Sequence, residues 1–171
     1  VYLQLQSGES LIIQTFATPI TADKWTYLQP QTLALSLDHG WIFDFIEVNG
    51  ERTVGSKRYN IDSPCSWTTL ETPLATTMMG TGRYTLSFEL RNTPSSVSPD
   101  EWILDLGDVR ESARVRINGE EVGTAWCVPY RLAVSKYLKQ GDNIIEIDVT
   151  NLPANRIAEL RSEERRVGKE C

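Results

Sequence analysis

From Leu33 onward the chain runs in short stretches in which apolar and polar residues alternate, broken by glycine, proline and asparagine. Alternation with period two puts successive side chains on opposite faces of a strand, and predicts antiparallel sheet with one face buried. Trp41, Phe43 and Phe45 fall on one side of such a strand, and Leu86, Phe88 and Leu90 on one side of another. Trp102, Leu104 and Leu106 alternate with Ile103 and Asp105, then Val115 and Ile117 with Arg114 and Arg116, so that arginine takes the wet face. The last run sets Ile145, Ile147 and Val149 against Glu146 and Asp148 and ends near Thr150. Asn118-Gly119 tolerates positive φ and predicts a tight hairpin returning through Val122 toward Trp126, while Gly141-Asp142-Asn143 introduces the last strand. Helix is expected only as single turns, one of them near Ser135 to Leu138, and no long amphipathic helix is predicted. The stretches Gly50 to Trp67, Thr72 to Gly82 and Thr93 to Asp100 read as surface loops, and Val1 to Phe16 as a hairpin followed by a linker. Roughly seven to nine short strands without repeated βα units predict an all-β domain, a β-sandwich or jelly roll.

A length of 171 residues suits one well-buried domain of about 100 to 150 residues with a remnant of something else. The formal net charge of -6 argues against a nucleic-acid surface, and no run of about 18 apolar residues predicts a membrane span. The opening VYLQLQSGES has neither the basic start nor the apolar core of a signal peptide and does not begin with Met, so the chain reads as an internal fragment. Cys65 and Cys127 have no metal-binding spacing and read as small apolar fillers, a bridge between them being the alternative. The ending RSEERRVGKEC, Arg161 to Cys171, turns abruptly charge-rich and resembles the conceptual translation of a common short-read sequencing adapter; it is set apart from the fold, against the alternative of a solvated helical tail.

The stretch Trp102 to Ile157, WILDLGDVRESARVRINGEEVGTAWCVPYRLAVSKYLKQGDNIIEIDVTNLPANRI, resembles the galactose-binding-like jelly roll attached to large glycoside hydrolases. It is similar to the sugar-binding domain of the β-galactosidase and β-glucuronidase family, and more closely to the C-terminal domain of family 106 α-L-rhamnosidases. Gly40 to Phe45, Ser66-Trp67-Thr68, Gly82-Arg83-Tyr84 and Val149 to Leu152 with Asn155-Arg156 support the resemblance. It implies a galactose-binding-like domain over 30–160, with 1–29 the end of a preceding β-domain plus linker; 161–171 is set apart as the adapter-derived artefact on its own resemblance. It also implies that the acid and base carboxylates belong to a separate catalytic barrel of the same parent chain, a periplasmic or secreted protein, so no catalytic residue is carried over.

Glycoside hydrolysis needs two carboxylates at a defined separation, one with a raised pKa. Glu89, Asp105, Glu146 and Asp148 occupy strand positions expected to face solvent and read as surface charges. His39 is the lone histidine; with no GxSxG elbow beside it, it reads as a turn residue before Gly40. No phosphate-binding loop, dinucleotide fingerprint or calcium-loop spacing occurs, so no metal and no cofactor is assigned. Sugar binding needs an aromatic face for the apolar side of a pyranose and planar amide or guanidinium groups for its hydroxyls. The loop-borne Trp126, Tyr130, Arg131, Asn151, Asn155 and Arg156 have those types, whereas Trp41 and Trp67 are assigned to the core. The same residues also suit structural roles in turns and at the core edge. Three functions compete: a non-catalytic carbohydrate-binding or structural accessory domain of a rhamnosidase-like hydrolase, which is preferred; an autonomous carbohydrate-binding module; and an adhesion or structural sandwich.

Overall fold

The alternation in sequence is the alternation of burial in three dimensions. The computed structural model describes residues 3, 5, 7–21, 35–53, 55–91 and 101–167, the side chains of 163–167 excepted. In chain order it forms β1 (Trp41–Val48), β2 (Glu51–Arg52), β3 (Tyr59–Ile61), a 3-10 turn at Trp67–Thr69, α1 (Pro73–Thr77), β4 (Gly80–Leu90), β5 (Ile103–Asp105), β6 (Ser112–Ile117) and β7 (Glu120–Ala125). There follow β8 (Arg131–Ala133), a 3-10 turn at Ser135–Tyr137, β9 (Gly141–Thr150) and α2 (Ala154–Val167). One antiparallel sheet has the order β2-β1-β4-β9-β6-β7, with β3 also paired to β1, and β5 with β8 forms a second, smaller layer. The architecture is the expected all-β, galactose-binding-like one.

Trp41, Phe43 and Phe45 point inward from β1, Leu86 and Leu90 from β4, Val115 and Ile117 from β6, and Ile145 and Ile147 from β9, and all are buried. Phe43 is the centre of this core: its ring lies 4.9 Å from Phe45, 4.8 Å from Tyr84 and 5.9 Å from Trp67. Burying each such ring stabilises the fold by about 1.5–3 kcal/mol, with a smaller increment from edge and tilted ring contacts. Gly82 makes room for the cluster, since a Cβ there would stand 2.6 Å from Phe43 Cζ and 2.9 Å from Trp67 Cε3. Tyr84 donates its hydroxyl hydrogen to the Cys65 carbonyl at 2.7 Å, and burial pushes its phenol pKa up. The Asn118-Gly119 hairpin forms with φ of +53° and +85°, the primed-turn geometry the pair favours.

Several expectations are corrected. Helix is not confined to single turns, because α2 runs from Ala154 to Val167. Pro153 supplies the first carbonyl, accepting from the Ile157 amide at 2.9 Å, and Arg156 bonds Glu159 one turn on at 2.5 Å. Good helix formers after a proline override the polar appearance of the stretch. The helix passes Arg161 without a break. Cys65 and Cys127 are neither buried nor bridged; both are free and exposed, because each lies on a loop outside the strands. Asp148 is not solvated but 7% exposed. Its strand β9 is flanked by β4 and β6, and the arginines of both neighbours close over it. The region Gly50 to Trp67 contains β2, β3 and the start of the 3-10 turn, and Thr72 to Gly82 contains α1 and the start of β4. The Ser7-Gly8 turn is present, but no described residue before Trp41 is in a strand. The serine-rich loop around Pro94 and Pro99, the segment 22–34 and Cys171 lie outside the described residues.

Candidate carbohydrate-binding cleft

A cleft of about 2130 Å³ is lined by the large sheet, by the smaller β5–β8 layer and by the turns beside them. Trp41, Trp67, Tyr84 and Phe88 contribute aromatic wall from one side, and Trp102 and Leu104 line the other. The β5–β8 register sets Asp105 opposite Arg131, and their side chains join at the rim, Arg131 Nε donating to Asp105 Oδ2 at 2.8 Å. Asp105 Oδ1 accepts from the Gly107 amide at 2.9 Å. That amide bond, with the Arg131 guanidinium, holds the Asp105 carboxyl below the ordinary carboxylate range in spite of partial burial. Further along the same segment, Arg110 grips Asp108 through Nε at 3.0 Å and Nη2 at 2.9 Å, which lowers the Asp108 pKa and raises that of Arg110. At another part of the lining His39 Nδ1 stands 3.2 Å from Asp62 Oδ1, both side chains exposed.

The six residues read from sequence as sugar contacts separate here. Arg131, Asn151 and Asn155 line the cleft together, whereas Trp126, Tyr130 and Arg156 do not. Trp126 stands 73% exposed just beyond β7, Tyr130 is buried in the core, and Arg156 is held by Glu159 on α2. Asn151 is occupied structurally: its Oδ1 accepts from the Gly80 amide at 2.9 Å and its Nδ2 donates to the Met78 carbonyl at 3.2 Å. Asp105, read from sequence as a surface charge, also lines the cleft, and so do Asp108, Arg110 and Trp102, which sequence reasoning did not name as candidates. Their signal was the Asp105-Leu106-Gly107-Asp108 turn, in which glycine adopts φ +66° and directs two carboxylates to one rim. Among the described carboxylates, the resolved pKa shifts of Asp105, Asp108 and Asp148 are all downward, the opposite of what a glycosidic general acid requires.

On the far face of the large sheet lies a second polar group. Arg83 donates to Asp148 through Nε at 2.7 Å and to Glu146 through Nη1 at 3.0 Å. Arg116 does the same from β6, at 2.8 Å to Asp148 and 3.2 Å to Glu146. Burial would raise the Asp148 pKa, but the two guanidiniums outweigh it and hold the carboxyl below its ordinary value. Two cations and two anions close on one another here, so the cluster fastens β4, β9 and β6 and leaves the cleft as the candidate site.

An all-β accessory domain with a polar-rimmed aromatic cleft is the class this fold defines. The chain belongs to the glycosyl hydrolase 2 galactose-binding domain-like family, whose model matches residues 67–170. It is 34% identical over 129 residues to a putative β-glucuronidase of Formosa agariphila, covering 75% of this chain and 10% of that protein. The rhamnosidase of Novosphingobium sp. PP1Y is similar with a TM-score of 0.64 at 28% identity, over 79% of this chain and 12% of that one. The β-D-glucuronidase of Dictyoglomus thermophilum shares the fold with a TM-score of 0.51 at 23% identity, over 67% of this chain and 19% of that one. The chain thus spans about a tenth of the length of the curated relative it matches.

Proposed function

We propose that this chain is the non-catalytic accessory domain of an α-L-rhamnosidase-like glycoside hydrolase, contacting carbohydrate and seated against a catalytic barrel of the same polypeptide. Residues 30–160 constitute that domain, and 1–29 belong to the end of a β-domain before it. The observation that carries the reading is the fit to the rhamnosidase, a TM-score of 0.64 over 79% of this chain but 12% of that one, against 0.51 for the Dictyoglomus β-D-glucuronidase. Within the cleft, Arg131 and Asn155 are the sugar-contacting candidates, with Asn151 as a framing residue and Trp126 as an exposed ring available for stacking outside it. Tyr130 and Arg156 act as supports.

The test is enzymatic. The longer reading frame is recovered from source DNA by reading outward from both ends of this segment, and its product is assayed on an α-L-rhamnoside and on a β-D-glucuronide. Release of rhamnose alone is expected. Release of glucuronate alone overturns the rhamnosidase reading, and hydrolysis of neither overturns the glycosidase-accessory reading.

A further inference from the structure

We infer that the cleft selects uncharged saccharides and rejects uronates. The inference rests on the carbohydrate-contacting reading above and adds the ligand class to it. Among its described lining residues are the carboxylates of Asp38, Asp62, Glu101, Asp105 and Asp108, against the two guanidiniums of Arg110 and Arg131 and the imidazole of His39. Both guanidiniums are already committed to rim carboxylates, at 2.9 Å to Asp108 and 2.8 Å to Asp105. A bound uronate would therefore meet arginines whose charge is compensated and an excess of negative charge along the lining, a repulsion that discriminates against one ligand without requiring any contact to the other.

A neutral pyranose meets no such cost, and the same groups fit its hydroxyls. Asp105 is half exposed and acceptor-only, and Arg131 is a donor fork bonded to it at 2.8 Å, so the pair presents acceptor and donor side by side. A sugar hydroxyl both donates and accepts, and two adjacent hydroxyls can answer such a pair where a carboxylate cannot. The Gly107 amide fixes the Asp105 carboxylate from behind, which removes the entropy of orienting it on binding. Trp102 and Leu104 supply apolar wall for the C–H face of the ring.

The experiment titrates this chain with a rhamnose-terminated oligosaccharide and with a glucuronate-terminated one of equal length, by calorimetry at low and at high salt. The uronate is expected to bind at least about tenfold more weakly at low salt, with the gap narrowing as salt screens the rim. The Asp105→Asn/Asp108→Asn double variant, checked for native circular dichroism, should narrow the gap at low salt in the same way. Equal or tighter uronate binding overturns the selectivity while leaving the carbohydrate reading intact, and binding of neither sugar overturns both. Unchanged discrimination in the folded double variant places the selectivity elsewhere and overturns its assignment to this rim.

Discussion

The side chains of Asn118 and Asn143 meet at 2.9 Å, Asn118 Nδ2 donating to Asn143 Oδ1, a bond between the β6–β7 hairpin and the turn that starts β9. Each residue is saturated around it. Asn118 Nδ2 also donates to the Tyr137 carbonyl, and its Oδ1 accepts from the Ile144 amide. Asn143 is fully buried, accepts from the Lys139 amide, and donates to the carbonyls of Lys139 and Gly141. Two turns that look independent in sequence are therefore one polar knot.

Removing the centre of that knot strands its partners in a site with little water. Asn143→Ala is expected to destabilise the domain by about 2–3 kcal/mol, and Asn143→Asp, which keeps the acceptor but loses both donors, to be destabilising as well. Asn118→Gly preserves the positive φ, so a double-mutant cycle with Asn143→Ala isolates the side-chain coupling, expected at about 0.5–3 kcal/mol. Urea unfolding measures each term, and additive effects would show that the two asparagines act separately.

The Arg83–Asp148–Arg116 group predicts a pH dependence. The folded Asp148 pKa lies below its ordinary value of 3.8, so the ionised form is favoured by folding. The contribution is present above the unfolded value and is lost as pH falls through the lower folded one. Stability should decline below about pH 4, and Asp148→Asn should flatten that part of the curve while costing about 1–3 kcal/mol at pH 7. Thermal melts of both proteins between acid and neutral pH supply the comparison; parallel curves would remove Asp148 as the source.

At Gly82 the constraint is steric. A methyl group there enters the space of the Phe43 and Trp67 rings, both buried. Gly82→Ala should cost about 1–3 kcal/mol through forced repacking, with altered near-ultraviolet circular dichroism from the displaced rings. A neutral substitution would mean that the aromatic cluster is looser than its ring separations imply.

Trp126 should behave in the opposite way. Its side chain is 73% exposed and does not line the cleft. Trp126→Ala is expected to change stability by no more than about 0.5 kcal/mol. Affinity for a monosaccharide in the cleft should persist, while affinity for a long oligosaccharide should fall with loss of the outer stacking ring. Calorimetry with ligands of both lengths separates the two contacts.

By itself the sequence determined β1, β4, β6 and β9 and their inward faces, because a period of two and a buried face leave little freedom: Trp41, Phe43 and Phe45, or Val115 and Ile117, have to share a side. It determined the Asn118-Gly119 turn for an equally local reason, the tolerance of those residues for positive φ. Tertiary structure alone decided what the polar residues do. Asp148 and Glu146 alternate in sequence like any wet-face pair, and only the placement of β9 between β4 and β6 brings Arg83 and Arg116 over them. Likewise Arg131 was legible as a sugar-binding type, but its partner Asp105 lies 26 residues away in sequence and meets it only through the β5–β8 register. Side-chain type is local information, whereas pairing and burial depend on which strands become neighbours, and that is set by the packing of the whole chain.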